Sequence, residues 1–353
     1  MLERLLARDF RCFTEAVLEP HPETTLLVGR NAQGKTSLLE AACVLMRLQS
    51  PRTATRTDLI RFGSTACVME GRWGGHTLRC GLSPTARRLA VDGAVCGRSA
   101  DYMKNTAVIV WMDHGDMNLI RGSGEHRRRF MDFAAAQIAP DYLHALQGYT
   151  RALRSRNHVL KRDAVIHWRQ ADAYARIMDG FHQILTHQRR QLIESLAPHA
   201  REVLATLSLG QEEVELRYAP GCEGESLFET LLAARPDEER TRTTAAGAHR
   251  DDFTVMINTR PADAFASEGQ QRSLSLALKL SQARALEQAR GQPPLLLIDD
   301  VFGELDPARR RALLAGLPRG SQKIITTTHL DWAGDLDAAF AVFQVEGAQV
   351  AAA

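Results

Sequence analysis

Short apolar runs separated by turn residues occupy the first part of the chain. We predict strands at residues 5–7, 16–18, 24–28, 67–69, 77–80, 89–91 and 107–111. Asp92-Gly93 follows the sixth run and predicts a two-residue hairpin turn. The third run leads directly into a glycine-bearing loop and a predicted helix over residues 36–48. This order of strand, loop and helix indicates a mixed α/β fold.

From about residue 140 the apolar spacing changes to the three- and four-residue steps of amphipathic helices. We predict helices over residues 143–160 and 168–192, which would form a helical hairpin or small lobe. Helices of roughly 20 to 30 residues reach only about 30 to 45 Å, so the lobe is expected to be a short arm. Almost no strand pattern occurs here, and residues 235–240 are typical of disordered sequence.

Strand patterns return towards the end of the sequence. We predict strands at residues 253–257, 295–298 and 324–327, and a helix over residues 270–290. The chain is therefore expected to contain an α/β head in two parts, residues 1–138 and 245–353. Residues 139–244 would form a helical arm inserted between the two parts.

Composition narrows the class of protein. No run approaches the roughly 20 apolar residues of a membrane span, and the charged start lacks a secretory core, so we expect a cytoplasmic protein without a membrane partner. The six cysteines include no C-x-x-C pair, which argues against a zinc site or a disulfide framework. The net charge of +2 is too small to indicate nucleic-acid binding by itself, so such binding would need local basic clusters.

The segment Gly29-Arg-Asn-Ala-Gln-Gly-Lys-Thr36 matches the P-loop pattern G-x-x-x-x-G-K-[ST] and lies between a predicted strand and a predicted helix. In such a loop backbone N–H groups hold phosphates, the lysine contacts β- and γ-phosphate oxygens, and the threonine hydroxyl binds magnesium. We therefore predict ATP and Mg²⁺ as cofactors. The predicted ATP-binding residues are Gly29, Arg30, Asn31, Ala32, Gln33, Gly34, Lys35, Thr36 and Ser37.

Two carboxylates follow the apolar run at residues 295–298. Asp299 is predicted to hold magnesium together with Thr36, because a P-loop protein needs such an acid beside the metal. Asp300 is predicted to orient or deprotonate the attacking water. Asp300 and Lys35 are therefore candidate catalytic residues of an ATPase.

The segment Ser267-Glu-Gly-Gln270 opens the helix that precedes the acidic strand. A serine at a helix start is by itself usually an N-cap. Taken with the P-loop and the acidic strand, however, the order of segments resembles the ABC-type ATPases. The resemblance implies a signature formed by Ser267, Gly269 and Gln270, a D-loop from Gly303 to Asp306, and a catalytic switch histidine, His329. It also implies that the signature of one copy contacts ATP on the other, so that ATP joins two copies in a homodimer.

Further stretches resemble the RecF family, within the SMC and RecF branch of these ATPases. They are residues 7–13, 122–132 and 247–252, and the resemblance extends over nearly the whole chain. Two departures from the family's usual sequence stand out. Ala32 occupies a P-loop position where glycine would tolerate a positive φ more easily, and Met112-Asp113 replaces a usual Pro-Glu.

The family resemblance implies a recombination mediator in DNA repair and replication, in which an ATP-induced dimer clamps double-stranded or gapped DNA and hydrolyses ATP slowly. It implies RecR as a partner, with RecO and RecA acting through it at single-strand gaps and replication forks, and a nucleoid-associated location.

Contacts to DNA would be made to phosphates, because the basic clusters have no aromatic residues between them. The candidate DNA-binding residues are Arg127, Arg128, Arg129, Arg52 and Arg56, followed by Arg61 and the arm residues Arg151, Arg154, Arg156, Lys161 and Arg162.

Two other classes of protein remain as alternatives. A transporter-coupling ATPase would carry its signature inside the helical lobe, whereas Ser267 follows the lobe. A nuclease-linked ATPase would need an acidic nuclease domain after Asp306, and we expect too little sequence there to form one.

Overall fold

The computed structural model describes residues 1–53, 55–208, 210–336 and 339–353. These residues form two compact units, the first made of Met1–Asp116 with Leu286–Ala353 and the second of Met117–Ala285. The division into residues 1–138, 139–244 and 245–353 is a different partition and stays a prediction.

The strands of the described residues are, in chain order, β1 (Leu2–Phe10), β2 (Phe13–Leu18), β3 (Thr24–Val28), β4 (Cys67–Trp73), β5 (His76–Leu82), β6 (Arg87–Val91), β7 (Ala94–Val95), β8 (Ile109–Met112), β9 (Val214–Ala219), β10 (Asp252–Ile257), β11 (Arg260–Pro261), β12 (Leu295–Asp299), β13 (Lys323–Thr327), β14 (Phe340–Glu346) and β15 (Gln349–Ala352). The helices are α1 (Lys35–Arg47), α2 (Ser99–Met103), α3 (Asn118–Arg121), α4 (Gly124–Ile138), α5 (Tyr142–Arg162), α6 (Trp168–Leu207), α7 (Leu227–Ala233), α8 (Arg235–Thr241), α9 (Ala262–Phe265), α10 (Glu268–Arg290) and α11 (Pro307–Gly316). Short 3₁₀ turns lie at Arg56–Leu59, His114–Met117, Ala248–Arg250, Phe302–Glu304 and Ala333–Asp335.

The first unit contains a sheet in the order β15-β14-β3-β13-β12-β8. Strands β14, β3, β13, β12 and β8 run parallel to one another, and β15 is antiparallel to β14. The four strands β3, β13, β12 and β8 are largely buried, as is usual for parallel strands that are covered on both faces. Val28 pairs with Thr327, and Asp299 pairs with Thr326. The carboxyl ends of β3, β13 and β12 therefore meet at one edge of the sheet, where ligands bind in open α/β sheets.

A second, antiparallel sheet of the first unit has the order β2-β1-β4-β5-β6-β7. Its last hairpin confirms the predicted Asp92-Gly93 turn, in which φ is 51° at Asp92 and 80° at Gly93, as a type I′ turn requires. Helix α1 contacts strands of both sheets and is buried along most of its length. This burial explains why residues 38–46 of α1 are apolar apart from Glu40.

The second unit is mainly helical, and α5 packs against α6 as the predicted helical hairpin. Helix α6 has 40 residues, about 60 Å at 1.5 Å per residue, so the expected length of 20 to 30 residues is wrong for this helix. The unit also contains a sheet in the order β11-β10-β9. Strand β9 lies in the section where we predicted almost no β structure.

Residues 235–240, which we expected to be disordered, belong to helix α8. Pro236 lies in the first turn, where the helix has no need of its missing N–H. Glu238 in this helix is fully buried and accepts two hydrogen bonds, at 2.7 and 2.8 Å, from Arg156 of α5, itself 1% exposed. A tertiary ion pair thus orders a segment whose local composition predicts disorder.

Candidate functional site

The P-loop connects β3 to α1, and two of its glycines lie too close to neighbouring atoms for any side chain. A Cβ at Gly29 would lie 2.2 Å from the carbonyl oxygen of Val345. A Cβ at Gly34 would lie 2.6 Å from the ring of Phe13, and Gly34 also has φ of 110°. The glycines of the P-loop pattern are therefore required by the packing of the loop as well as by the approach of a ligand.

Ala32 adopts a left-handed conformation with φ of 65°. The loop therefore requires at this position the conformation that glycine adopts most easily, as the sequence suggested. A left-handed conformation costs a residue with a Cβ about 1–2 kcal/mol. Ala32 is therefore a strained residue of the P-loop.

Lys35 is buried at the start of α1, and its ammonium group lies over the loop. Its Nζ donates hydrogen bonds to the carbonyl oxygens of Gly29, at 2.5 Å, and Arg30, at 3.0 Å. Burial lowers the pKa of Lys35, and the nearby carboxylates of Asp300 and Asp299 oppose this shift. An anion in the loop would find a desolvated cation already in place.

Thr36 and Asp299 are in direct contact. The Thr36 hydroxyl is 2.8 and 2.9 Å from the two carboxylate oxygens of Asp299, and Thr326 of β13 donates a further hydrogen bond at 2.7 Å. Burial raises the pKa of Asp299, while the two hydroxyl donors oppose the shift. A hydroxyl and a carboxylate are the hard oxygen donors that Mg²⁺ prefers, so the residues at this position fit the predicted metal.

Asp300 has φ of 53°, a left-handed conformation at a residue other than glycine. Its backbone N–H is held by the hydroxyl of Thr326 at 2.9 Å. Thr326 thus contacts both acidic residues, a role that we did not assign from the sequence. The signal available from the sequence was the position of Thr326 near the end of the predicted strand at residues 324–327.

A cavity of about 630 Å³ opens over the P-loop within the first unit. It contains most of the predicted ATP-binding residues together with both acids. Its lining consists of Arg11, Cys12, Asn31, Ala32, Gln33, Gly34, Lys35, Thr36, Ser37, Arg52, Asp58, Ile60, Phe62, Asp299, Asp300 and Thr326. Predicted residues Gly29 and Arg30 contribute carbonyl groups to Lys35, and His329 is not part of the lining.

Aromatic stacking joins Phe302, the residue directly before the D-loop, to the segment after β13. The rings of Phe302 and Trp332 are 4.6 Å apart and nearly parallel, and the Trp332 indole donates to the hydroxyl of Thr327 at 3.1 Å. The Nε2 atom of His329 and the Oδ1 atom of Asp300 both lie within 4 Å of the place that a Cβ on Gly303 would occupy. The predicted switch histidine, the candidate catalytic acid and the D-loop therefore approach one another.

Asp306, at the end of the D-loop, caps helix α11. Its carboxylate accepts a hydrogen bond from the backbone N–H of Arg309 at 2.9 Å and pairs with the Arg309 guanidinium at 2.6 Å. The hydrogen bond from this N–H is the largest cause of the lowered pKa of Asp306. The carboxylate is thus held in its ionised form.

The predicted signature forms a capping box at the start of α10, in the second unit. The Ser267 N–H donates to the Gln270 side chain at 2.8 Å, and the Gln270 N–H donates to the Ser267 hydroxyl at 3.3 Å. Gly269 lies in the first turn of this helix. Because the Ser267 hydroxyl accepts in this arrangement, its proton is available to an acceptor such as a phosphate oxygen.

The stretches 122–132 and 247–252 contact each other within the second unit. Arg127, 15% exposed in its side chain, makes two hydrogen bonds to Asp252 and one to the Gly122 carbonyl. Arg128 donates to the backbone oxygen of Asp251, and Arg129 is 68% exposed beside Glu125. Of this basic cluster, Arg129 is the residue most accessible to DNA.

Asp251 is fully buried at the centre of a polar network. It accepts hydrogen bonds from the Arg189 guanidinium at 2.8 Å, the Tyr218 hydroxyl at 2.6 Å and the Gly221 N–H at 2.7 Å. Arg189, 2% exposed, also pairs with Asp132 at 2.7 Å. These contacts give the stretch at 247–252 a structural role.

The other candidate DNA-binding residues have different surroundings. Arg52 lines the cavity over the P-loop and pairs with buried Glu40, whereas Arg56 is exposed at the surface of the first unit. Arg61 pairs with Asp9. Arg156, bound to Glu238 and nearly without exposure, is not available to a phosphate in this conformation. The assignment of DNA contacts to Arg52, Arg56 and Arg129 stays a prediction.

The chain has the fold of the ABC-type ATPase heads. Solved structures with this fold include the recombination mediator protein RecF with ATP, at a TM-score of 0.88 and 24% identity over 100% of this chain and 97% of that one. A more distant one is the Smc head bound to the C-terminal winged-helix domain of ScpA, at a TM-score of 0.58 and 15% identity over 100% of this chain and 96% of that one.

Curated relatives identify the family, although no family model matches the chain. The DNA replication and repair protein RecF of Cyanothece sp. is 34% identical, covering 93% of this chain and 92% of its own length. The protein of the same description from Geobacillus thermodenitrificans is 31% identical and covers 99% of both chains. The chain belongs to the RecF family of DNA replication and repair proteins.

Membership of this family is compatible with the binding of ATP and of DNA. It does not favour the alternative of a transporter-coupling ATPase, because the relatives are described as DNA replication and repair proteins. In the part of the chain that the structure describes, every helix is too short or too polar to span a membrane.

Proposed function

We propose that this protein is an ATP-dependent DNA-binding recombination mediator, a weak ATPase that acts as a switch. The observation that carries the proposal is the direct contact between Thr36 and Asp299 beside the P-loop, within a cavity that also contains Lys35. Groups that can bind phosphate and groups that can bind a metal ion thus lie together at one edge of a parallel sheet. The names of the relatives, which are replication and repair proteins, support the role in DNA metabolism.

The residues of the cavity have separate roles in this proposal. Lys35 exchanges its hydrogen bonds with the loop carbonyls for bonds to the β- and γ-phosphates. Thr36 and Asp299 hold Mg²⁺, which when bound neutralises charge on the phosphates. Asp300 orients or deprotonates the attacking water, and His329 contacts the γ-phosphate once the loops have closed.

The proposal further requires two copies. Ser267, Gly269 and Gln270 of one copy would bind the γ-phosphate held by the P-loop of the other, and Asp306 would lie at the junction. A helix N-terminus favours an anion through its free N–H groups and dipole, which supports this role for the start of α10. Closure would create the DNA-binding state, and hydrolysis would release it.

In the cell, the dimer would act in the cytoplasm at the nucleoid, on double-stranded and gapped DNA. RecR would bind it, and RecO and RecA would follow at single-strand gaps. The description of a RecF structure as belonging to the RecFOR pathway supports RecR and RecO as partners for this chain.

The test is sedimentation of the protein with Mg²⁺, with and without ATP and duplex DNA. We expect ATP to produce a dimer that retains DNA, Lys35→Met to abolish both effects, and Asp300→Asn to accumulate the dimer because hydrolysis is slowed. Lys104→Met is the matched control, since Lys104 is an exposed lysine paired with Asp101 outside the cavity. Equal DNA retention with and without ATP, across a salt titration, would refute ATP gating.

A further inference from the structure

Phe62 is a fully exposed aromatic residue that also lines the cavity over the P-loop. Its relative exposure is 99%. Exposing a phenylalanine ring leaves more than 150 Å² of mostly apolar surface in water, at an appreciable free-energy cost. Single exposed apolar residues need no explanation on an open surface. A fully exposed aromatic ring at the edge of a polar cavity does suggest a ligand.

The turn that carries Phe62 is well anchored. The backbone N–H of Arg61 donates to the carbonyl oxygen of Asp9 at 2.8 Å, and the Arg61 side chain donates to the Asp9 carboxylate at 2.9 Å. Ser64 donates to the same carboxylate oxygen at 2.8 Å, and its N–H closes the turn on the Arg61 carbonyl at 2.9 Å. Gly63 supplies the φ of 86° that the turn needs. The ring is therefore presented by a fixed backbone.

The cavity wall near Phe62 is also fixed. Ile60, which lines the cavity, forms a β-bridge with Phe10, and the N–H of Arg11 donates to the Leu59 carbonyl at 2.9 Å. Arg11 is locked by two hydrogen bonds, at 2.6 and 2.8 Å, to the buried carboxylate of Glu40. This part of the cavity is thus pre-formed before any ligand arrives.

The cavity therefore has two chemically different parts. Lys35, Thr36 and the loop N–H groups suit an anionic phosphate chain bound with Mg²⁺. Phe62 and Ile60 supply apolar surface, and the exposed face of the Phe62 ring suits stacking with a planar aromatic group. A ligand that carries both groups on one molecule is a nucleotide.

We propose that Phe62 is the surface on which the nucleobase stacks when the phosphates occupy the P-loop. This inference rests on the proposed nucleotide-binding function and assigns the base-binding part of the same site. Stacking of a base on an aromatic side chain is lost on alanine substitution with a change of about 5- to 150-fold in affinity. Because every base has a π-face, the contact strengthens binding without selecting strongly among bases.

The experiment compares ADP with pyrophosphate, each with Mg²⁺, by titration calorimetry on the full chain. ADP carries the base and needs only one copy of the protein, and pyrophosphate lacks the base. We expect Phe62→Ala to weaken ADP binding by about 5- to 150-fold and to leave pyrophosphate binding unchanged. Phe265→Ala is the control, since Phe265 is 59% exposed and does not line the cavity.

A second variant gives an independent signal. Phe62→Trp should retain ADP affinity, and its fluorescence should change on addition of ADP but not of pyrophosphate. Unchanged ADP affinity in Phe62→Ala, or an equal loss for both ligands, would overturn the assignment. So would a Phe62→Trp signal that responds equally to both ligands.

These outcomes are separate from those of the proposed function. A protein that binds ADP through Phe62 but retains DNA equally with and without ATP would contradict ATP gating alone. A protein whose ATP-dependent dimer and DNA retention are intact, but whose ADP affinity is insensitive to Phe62→Ala, would contradict the stacking assignment alone.

Discussion

Replacing Ala32 with glycine should stabilise the protein, although glycine normally destabilises. The alanine has φ of 65°, and a left-handed conformation costs a residue with a Cβ about 1–2 kcal/mol. Glycine removes this strain but gives the unfolded chain more freedom, which costs about 0.4–1 kcal/mol. The net expectation is a gain of roughly 0.5–1 kcal/mol in the free energy of unfolding.

Urea unfolding, followed by circular dichroism, measures this difference, and two alanines provide matched controls. Ala348 also has a positive φ, 57°, but lies in the turn between β14 and β15, so Ala348→Gly should give a similar gain. Ala41 is buried within helix α1, so Ala41→Gly should instead destabilise by about 1 kcal/mol. ADP affinity should stay nearly unchanged in Ala32→Gly, because the loop keeps its backbone path.

A loss of stability in Ala32→Gly comparable to that in Ala41→Gly would refute the reasoning. It would mean that the P-loop does not hold residue 32 in a left-handed conformation. A gain in Ala32→Gly without one in Ala348→Gly would show that the effect belongs to the P-loop and not to φ.

Two further predictions concern the second unit. Arg189→Met removes the partner of the carboxylates of Asp251 and Asp132, so it should lower the free energy of unfolding in urea by about 3–5 kcal/mol. Arg190→Met, at the exposed neighbouring residue, should lower it by less than about 1 kcal/mol. Equal losses in the two variants would contradict the proposed network. Burial lowers the pKa of His249 to about 4, so the unfolded state takes up a proton between about pH 6.5 and 4 and the native state does not. The free energy of unfolding should therefore fall by up to about 3 kcal/mol as the pH drops through this range. His249→Phe should remove this part of the pH dependence, and His187→Phe, at an exposed histidine, should retain it. An unchanged pH profile in His249→Phe would contradict the role given to His249.

The geometry around His249 explains why its neutral form is favoured. Its Nδ1 lies 2.8 Å from the Tyr149 hydroxyl, and its Nε2 lies 3.2 Å from the carbonyl oxygen of Thr244. A neutral ring accepts the first hydrogen bond and donates the second. Protonation would force Nδ1 to become a donor towards the Tyr149 hydroxyl, and the nearby Arg250 adds repulsion.

The P-loop and ten of the strands could be predicted because their signals are local, whereas β7, β9, β11, β14 and β15 were not predicted. The run at residues 24–28 and the glycines at 29 and 34 lie within a dozen residues, and the pattern of Leu295 to Asp299 needs only its own sequence. The pairing of Asp299 with Thr36 followed from the known chemistry of a P-loop. The sequence also pointed to Ala32 as an unusual residue, since glycine is the residue that a positive φ favours.

The remaining features depend on contacts distant in sequence. Helix α8 is ordered by Glu238 and Arg156, which are 82 residues apart, so its own composition misled us. Arg127 was read as a basic surface residue because its partner Asp252 is 125 residues away. The length of α6 is underestimated because the apolar spacing extends the predicted helix only to residue 192, whereas the helix continues through Pro198 to Leu207.

The ion pair and hydrogen bonds that connect residues 122–132 with residues 247–252, directly or through Arg189, have a consequence for genetics. Substitutions at Arg127, Asp251 or Asp252 would lower the amount of folded protein before they altered any contact with DNA. A repair-deficient strain carrying such a change would therefore resemble a deletion, and its phenotype should be restored by conditions that favour folding, such as growth at lower temperature. Substitutions at Arg129 or Arg56, which lie at the surface, would leave protein abundance intact, so the two groups of alleles can be told apart by immunoblotting alone.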